Sequence, residues 1–291
     1  MACKAVAGAD YRERRIGARS GLSLYVRDYG PPHGGGTPLL CLAGLTRNSK
    51  DFHTLASRAA AHRRVVCPDY RGRGQSAYDA DWRNYRPEVI LDDMFQIVTA
   101  CNIHPVIICG VSYGGLLAMA LAAMTPSLLA GVILHDVGPE VDAAGSRRIM
   151  AYISRDRPQP DWPAAIAQMK QSLPDLALAD DDAWRRFTEA TYRPGEDGRL
   201  HFDWDLSLAK VLAQADANRD LWPLYRALRR VPVLAVRGGI SDVLSEATFA
   251  RMAAEKPDLL SLTVPGVGHV PSFEHPAVER AIYDFLAQID A

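Results

Sequence analysis

Short runs of consecutive apolar residues alternate along this chain with longer stretches whose apolar positions recur every three to four residues. The short runs Leu39–Leu42, Arg64–Cys67, Val106–Cys109, Val132–Leu134, Val233–Val236 and Leu260–Val264 predict strands. Several are apolar at nearly every position, as expected where helices cover both faces of a parallel sheet. The longer stretches predict helices over Pro87–Cys101, Tyr113–Met124, Glu246–Glu255 and Pro276–Gln288. Two weaker amphipathic runs, Arg14–Ala18 and Leu22–Tyr29, read as an opening hairpin turned at Ser20-Gly21. Alternation of this kind is the pattern of βαβ units, and it predicts an α/β fold: a doubly wound, mostly parallel, eight-stranded sheet.

The alternation stops between Asp136 and Leu228. That stretch shows no clear strand and reads as short helices separated by Pro158, Pro160, Pro163, Pro174, Pro194 and Pro223. It also holds Trp162, Trp184 and Trp204. A helical insertion late in a parallel α/β chain is most simply a cap over the carboxyl ends of the strands, where such sheets place their sites. The expected division is therefore a core of residues 1–136 and 229–291 with a helical cap at 137–228.

Composition changes this picture little. With 48% hydrophobic and 23% charged residues and a formal net charge of -1, nothing argues for a nucleic-acid partner. The arginine clusters Arg12, Arg14, Arg15 and Arg63, Arg64 read as solvated edges. The five cysteines (Cys3, Cys41, Cys67, Cys101, Cys109) form no CxxC pair, and three of them lie in or at the end of apolar runs. A reducing compartment is expected, with no disulfide framework and no zinc site. The N-terminal residues lack the apolar core of a signal peptide, and the longest apolar stretch, Leu116–Met124, is too short to span a bilayer. The expectation is a cytoplasmic protein with a small-molecule substrate, no membrane association, no metal and no organic cofactor. The pattern leaves homo-oligomerisation open.

The candidate chemistry starts at Gly110-Val111-Ser112-Tyr113-Gly114, a G-x-S-x-G motif between an apolar strand and an apolar helix. A serine on so tight a turn needs small neighbours two residues before and after, and Gly110 and Gly114 supply them. The hydroxyl needs a general base. Of the eight histidines, His269 stands out: Pro265-Gly266-Val267-Gly268-His269 follows a strand-like run and precedes the last helix. The base in turn needs a carboxylate to hold its tautomer. Asp242, in Gly238-Gly239-Ile240-Ser241-Asp242 after the strand Val233–Val236, is the first candidate because it completes the order Ser–acid–His. Asp136, closing the preceding strand, is the competitor. The oxyanion donors expected are the backbone N–H of Tyr113 and that of Leu45 in Cys41-Leu42-Ala43-Gly44-Leu45.

Taken together, Ala43-Gly44-Leu45, the turn Asp69-Tyr70-Arg71-Gly72-Arg73-Gly74-Gln75-Ser76, Gly110 to Gly114, Gly239 to Asp242 and Gly268-His269 resemble the α/β-hydrolase fold family, in its capped single-chain form. The resemblance covers nearly the whole chain and implies a serine hydrolase acting through a Ser112–His269–Asp242 triad and an acyl-enzyme. One departure is visible. Relatives often carry His-Gly where this chain has Ala43-Gly44, which removes a side chain that braces the oxyanion loop; the Asp69–Ser76 turn is expected to be structural. Ser112 argues against the aspartate-nucleophile members, the dehalogenases and epoxide hydrolases, and Val111 and Tyr113 do not match the Gly-Gly-Ser-Trp-Gly elbow of proline iminopeptidases. Hydrolysis of a carboxylic ester, thioester or lactone is the leading expectation. Hydrolysis of a carbon–carbon bond beside a ketone, with Arg147, Arg148, Trp162 and Trp204 as cap residues, is the alternative. A receptor-like ligand sensor is the third.

Overall fold

The computed structural model of the chain describes residues 3–5, 10–33, 35–214 and 219–291. Its strands are β1 (Cys3–Ala5), β2 (Tyr11–Gly17), β3 (Ser23–Tyr29), β4 (Gly36–Leu42), β5 (Arg63–Pro68), β6 (Val106–Val111), β7 (Leu129–His135), β8 (Tyr192–Pro194), β9 (Leu200–Phe202), β10 (Val233–Gly238) and β11 (Leu260–Val264). Its α-helices are α1 (His53–Ala59), α2 (Pro87–Cys101), α3 (Tyr113–Met124), α4 (Ala143–Ile153), α5 (Trp162–Ser172), α6 (Asp181–Thr191), α7 (Leu208–Gln214), α8 (Trp222–Arg226), α9 (Glu246–Glu255) and α10 (Pro276–Asp290).

The main sheet runs β1-β2-β3-β5-β4-β6-β7-β10-β11. Its six strands from β5 to β11 are parallel, and β3, β2 and β1 add an antiparallel edge. Eight of these strands make the anticipated mostly parallel sheet, and the three-residue β1 extends it by one. Every residue of β5, β6 and β10 is buried, which requires cover on both faces. Helix α3 packs on β4, β6 and β7, while α10 packs on β4, β7, β10 and β11. Cys41 of β4 stands in register with Cys109 of β6, and Cys67 of β5 lies beside them. All three are fully buried and free, and burial pushes the Cys41 and Cys109 thiols up.

The chain passes from β4 to β5 on one side and on to β6 on the other, so the strand order reverses around β4. Loops leaving β4 and β6 diverge there and open a crevice at the carboxyl ends of the strands.

Among the described residues between β7 and β10 lie the five α-helices α4 to α8 and one small hairpin. Asp142, Asp161 and Asp180 start α4, α5 and α6, each carboxylate accepting an N–H of the first turn. The hairpin β8–β9 was not legible in the sequence, because two three-residue strands are too short to show a period. A second apolar cluster forms here from Ala165, Met169, Tyr192, Leu200, Phe202, Trp204 and Leu208, with Tyr85 reaching in from the other side. Trp222 and Tyr225 of α8 belong instead to the main core, so the chain rejoins it before residue 229.

Apart from the exposed Arg15, the arginine clusters are not solvated edges. Arg64 is 5% exposed and grips Asp28 with two bonds of 2.9 and 2.8 Å, while Arg12 and Arg14 reach the same carboxylate at 3.2 Å. Arg63, also buried, bonds Asp290 of α10 at 2.7 Å. Pairing is what makes those buried charges tolerable. Among the described residues no helix is long and apolar enough to cross a membrane.

Candidate active site

Ser112 occupies the turn between β6 and α3 with φ +49°, a left-handed conformation that costs an L-residue energy. The turn survives because its neighbours carry no side chain. A Cβ on Gly110 would lie 2.6 Å from the backbone of Gly114, and one on Gly114 would lie 2.1 Å from the Leu42 oxygen. The Ser112 N–H donates to the His135 oxygen at 3.0 Å, which ties the elbow to the end of β7. Being first in α3, the Tyr113 N–H has no acceptor within its own helix.

His269 lies beyond β11 and donor and acceptor distances link it in both directions. Its Nε2 is 3.0 Å from Ser112 Oγ, and its Nδ1 is 2.6 Å from Asp136 Oδ2. Asp136 is fully buried and directly follows β7 with φ +56°. Its carboxylate also accepts from the Gly238 N–H at 2.8 Å, the Ser241 hydroxyl at 2.7 Å and the Val270 N–H at 3.1 Å. Val270 itself has φ +65°, a rare state for a β-branched residue, at the point where its N–H meets Asp136. Burial pushes the Asp136 carboxyl up, but the His269 bond and charge, with the Gly238 and Ser241 donors, hold it below its ordinary value. Strained backbone at Ser112, Asp136 and Val270 thus converges on one place.

The expectation for Asp242 is corrected by this geometry. Asp242 makes no hydrogen bond to His269; its two oxygens are taken by Arg148 of α4, at 2.6 and 2.7 Å. Arg148 is the main reason its carboxyl sits below the usual range. Gly145 allows the approach, since a Cβ there would come within 2.3 Å of the Asp242 oxygen. The physical reason lies in loop length. Three residues separate Asp242 from the last residue of β10, enough to carry it out of the strand-end row, whereas none separates Asp136 from β7. Ser241, its neighbour, turns inward and supports Asp136 instead. The signal that pointed to Asp136 was its position, Leu134-His135-Asp136, with no intervening loop.

Gly44 of the loop after β4 faces the nucleophile: a Cβ on it would stand 4.0 Å from Ser112 Cβ. The structure thus brings the Leu45 loop, Tyr113, Ser112 and His269 to one crevice. The side chain missing from Ala43-Gly44 is replaced from the Asp69–Ser76 turn. Tyr70 Oη donates to the Ala43 oxygen at 3.0 Å, and Arg73 Nε donates to the Leu45 oxygen at 2.7 Å. Neither residue was singled out from sequence, although an arginine between Gly72 and Gly74 next to a changed loop was a usable hint.

A cleft adjoins the site through Ala43, Gly44, Val111 and Val270. Phe52, Phe187 and Phe273 line its apolar walls, with Leu176 and Leu178. At its mouth Arg186 of α6 holds both oxygens of Glu274 at 3.0 Å.

A sequence model of the alpha/beta hydrolase family matches residues 33–281. The chain belongs to the alpha/beta hydrolase family. Among curated relatives of this hydrolase, the 3-hydroxybutyrate-oligomer hydrolase of Cupriavidus necator is 35% identical over 250 residues, covering 82% of this chain and 84% of that protein. The 2-(acetamidomethylene)succinate hydrolase of Mesorhizobium japonicum is 29% identical, covering 91% of this chain and 92% of that protein. Among solved structures, an alpha/beta hydrolase from Novosphingobium aromaticivorans superimposes with a TM-score of 0.91 at 37% identity, covering 96% of this chain and 99% of the other. Family and relatives make the protein a hydrolase.

Proposed function

We propose that this hydrolase cleaves a carboxylic ester of a small molecule, with Ser112 as nucleophile, His269 as general base and Asp136 as the acid that orients it. The observation that carries the reading is the continuous hydrogen-bonded line Ser112 Oγ–His269–Asp136, with links of 3.0 and 2.6 Å. In this mechanism Ser112 Oγ attacks the ester carbonyl while His269 Nε2 takes its proton. Asp136 keeps the remaining proton on Nδ1 and stabilises the imidazolium. The N–H groups of Leu45 and Tyr113 receive the oxyanion. As the tetrahedral species collapses, His269 returns its proton to the departing alcohol. Water activated by the same imidazole then releases the acid from Ser112.

The segment between β7 and α8 serves as a cap in this reading, its α6 closing one wall of the cleft. Apolar walls suit a short acyl or alkyl chain. The similarity to a 3-hydroxybutyrate-oligomer hydrolase makes esters of small hydroxy acids the first substrates to try; thioesters and lactones share the chemistry. The test is Ser112→Ala assayed with p-nitrophenyl butyrate and with a linear 3-hydroxybutyrate dimer. A loss of about 10³-fold or more in kcat is expected from triad logic. Undiminished turnover by the folded variant would overturn the reading.

A further inference from the structure

We propose that Arg73 is a positioning residue of the oxyanion hole, aiming the Leu45 N–H at the substrate oxygen and contributing an uncompensated positive charge behind it. The inference rests on the catalytic reading above.

Three observations converge on Arg73. First, it is completely buried, yet among the described residues no carboxylate pairs with it. Its Nε and Nη1 donate to the Leu45 and Arg71 oxygens, at 2.7 and 2.8 Å, and its Nη2 has no hydrogen-bond partner. Asp205 lies within its field, but that carboxylate is occupied by Tyr85 Oη at 2.7 Å and by Ser207. A buried charge without a counterion is costly, and an arginine cannot shed its proton to escape the cost.

Second, its bonds fall on the loop where they matter. The Leu45 N–H belongs to the peptide joining Gly44 to Leu45. The peptide before it is pinned through the Ala43 oxygen by Tyr70 Oη, and the one after it through the Leu45 oxygen by Arg73 Nε. With both flanking planes fixed, and the Gly44 oxygen of the intervening peptide accepting from the Arg47 N–H at 3.1 Å, the Leu45 N–H is held in one orientation on the loop beside Ser112. A preorganised donor of this kind costs no reorganisation when the oxyanion forms.

Third, the guanidinium is part of the wall that carries the other donor. It sits 5.4 Å from the Tyr70 ring, which meets the Tyr113 ring edge-on at 6.0 Å. Backbone bridging to Trp204, with Gly74 N–H on the Asp203 oxygen at 3.0 Å, seals this wall from solvent. Low dielectric there strengthens any effect of the charge on a forming oxyanion.

The experiment compares Arg73→Met, Arg73→Lys and Tyr70→Phe in the full chain with p-nitrophenyl butyrate, normalising rates to Ser112 titrated by a fluorophosphonate. Phenylboronic acid serves as the probe of the hole, since its tetrahedral serine adduct is anionic. For Arg73→Met the expected result is a fall in kcat of about 10- to 100-fold with KM within about threefold, matched by an equal rise in the boronate inhibition constant. Arg73→Lys should recover part of both, and Tyr70→Phe should lose less than Arg73→Met. A purely packing role would lower the titratable fraction and thermal stability without changing kcat per titrated site. Wild-type kcat and boronate affinity in folded Arg73→Met, or a loss confined to KM, would overturn the proposal. Should Arg73→Met not fold, Arg73→Lys and Tyr70→Phe decide it: a parallel fall in kcat and boronate affinity supports it, and wild-type values in both overturn it. If Ser112→Ala stays active, the catalytic reading itself fails; if only the Arg73 and Tyr70 variants are unaffected, this inference fails alone.

Discussion

The ends of β7 and β10 are neighbours, joined strand to strand by Asp136 N–H on the Val236 oxygen at 2.8 Å, and each offers an aspartate. They are treated in opposite ways. Asp136 is fully buried and takes four donors, while Asp242 is about one-third exposed and is held by a single arginine from α4. One carboxylate is arranged around a histidine, the other around an arginine of α4. What separates them is distance from the strand end, since a charge held by the pleat is aimed by the whole sheet and a charge on a loop is aimed by whatever it meets.

The largest test of this contrast is Asp136→Asn. Loss of the group that fixes the His269 tautomer is expected to lower kcat by about 10³- to 10⁴-fold with the fold retained, read by p-nitrophenyl butyrate hydrolysis and circular dichroism. A mild effect would dissolve the distinction.

The second test concerns His135, just before Asp136. Its Nε2 is 2.6 Å from the Pro271 oxygen, and burial pushes its pKa down to about 4. The unfolded chain therefore binds a proton near pH 6.5 that the folded chain refuses until about 4. Stability contributed by the neutral ring is complete above pH 6.5 and declines as the pH falls toward 4, by up to about 3 kcal/mol. Urea unfolding at pH 7 and pH 4.5 measures it, and His135→Gln should flatten that part of the profile.

A smaller effect is expected from Ser241→Ala, which removes one donor to Asp136 and leaves a buried carboxylate less satisfied. About 1–2 kcal/mol of stability and a kcat reduced about three- to tenfold are expected, measured on the same assays. Smallest of all should be Asp242→Asn. A partly exposed arginine pair of this kind contributes at most about 1 kcal/mol, so kcat should stay within about threefold. Equal losses from Asp242→Asn and Asp136→Asn would break the comparison outright.

The same contrast explains how much the sequence disclosed. Ser112 and His269 were legible because glycine spacing leaves few places for them: Gly110 and Gly114 are demanded by contacts of 2.6 and 2.1 Å that any side chain would violate. The order of strands and helices was legible because Leu39–Leu42 of β4, Val106–Cys109 of β6 and Val233–Val236 of β10 are apolar runs that face both sides of the sheet. Choosing between two aspartates was not legible, since residue type and chain order favoured Asp242 while strand-end geometry favoured Asp136. The buried Asp28 cluster was misread for a related reason. Arg12 and Arg14 of β2, Arg64 of β5 and Asp28 of β3 meet only once the three strands are side by side. Arg73 escaped notice because its partner is a backbone oxygen, which leaves no mark in side-chain patterns.

The row of thiols across β5, β4 and β6 carries a last consequence. Cys41, Cys67 and Cys109 are fully inaccessible in the folded sheet, and Cys101 nearly so. A thiol-modifying reagent meets them only when the strands themselves part. Their reaction rate in native buffer therefore clocks the opening of the central sheet, and comparing it with the loss of hydrolytic turnover separates a molecule that has come apart from one whose crevice alone has been disturbed.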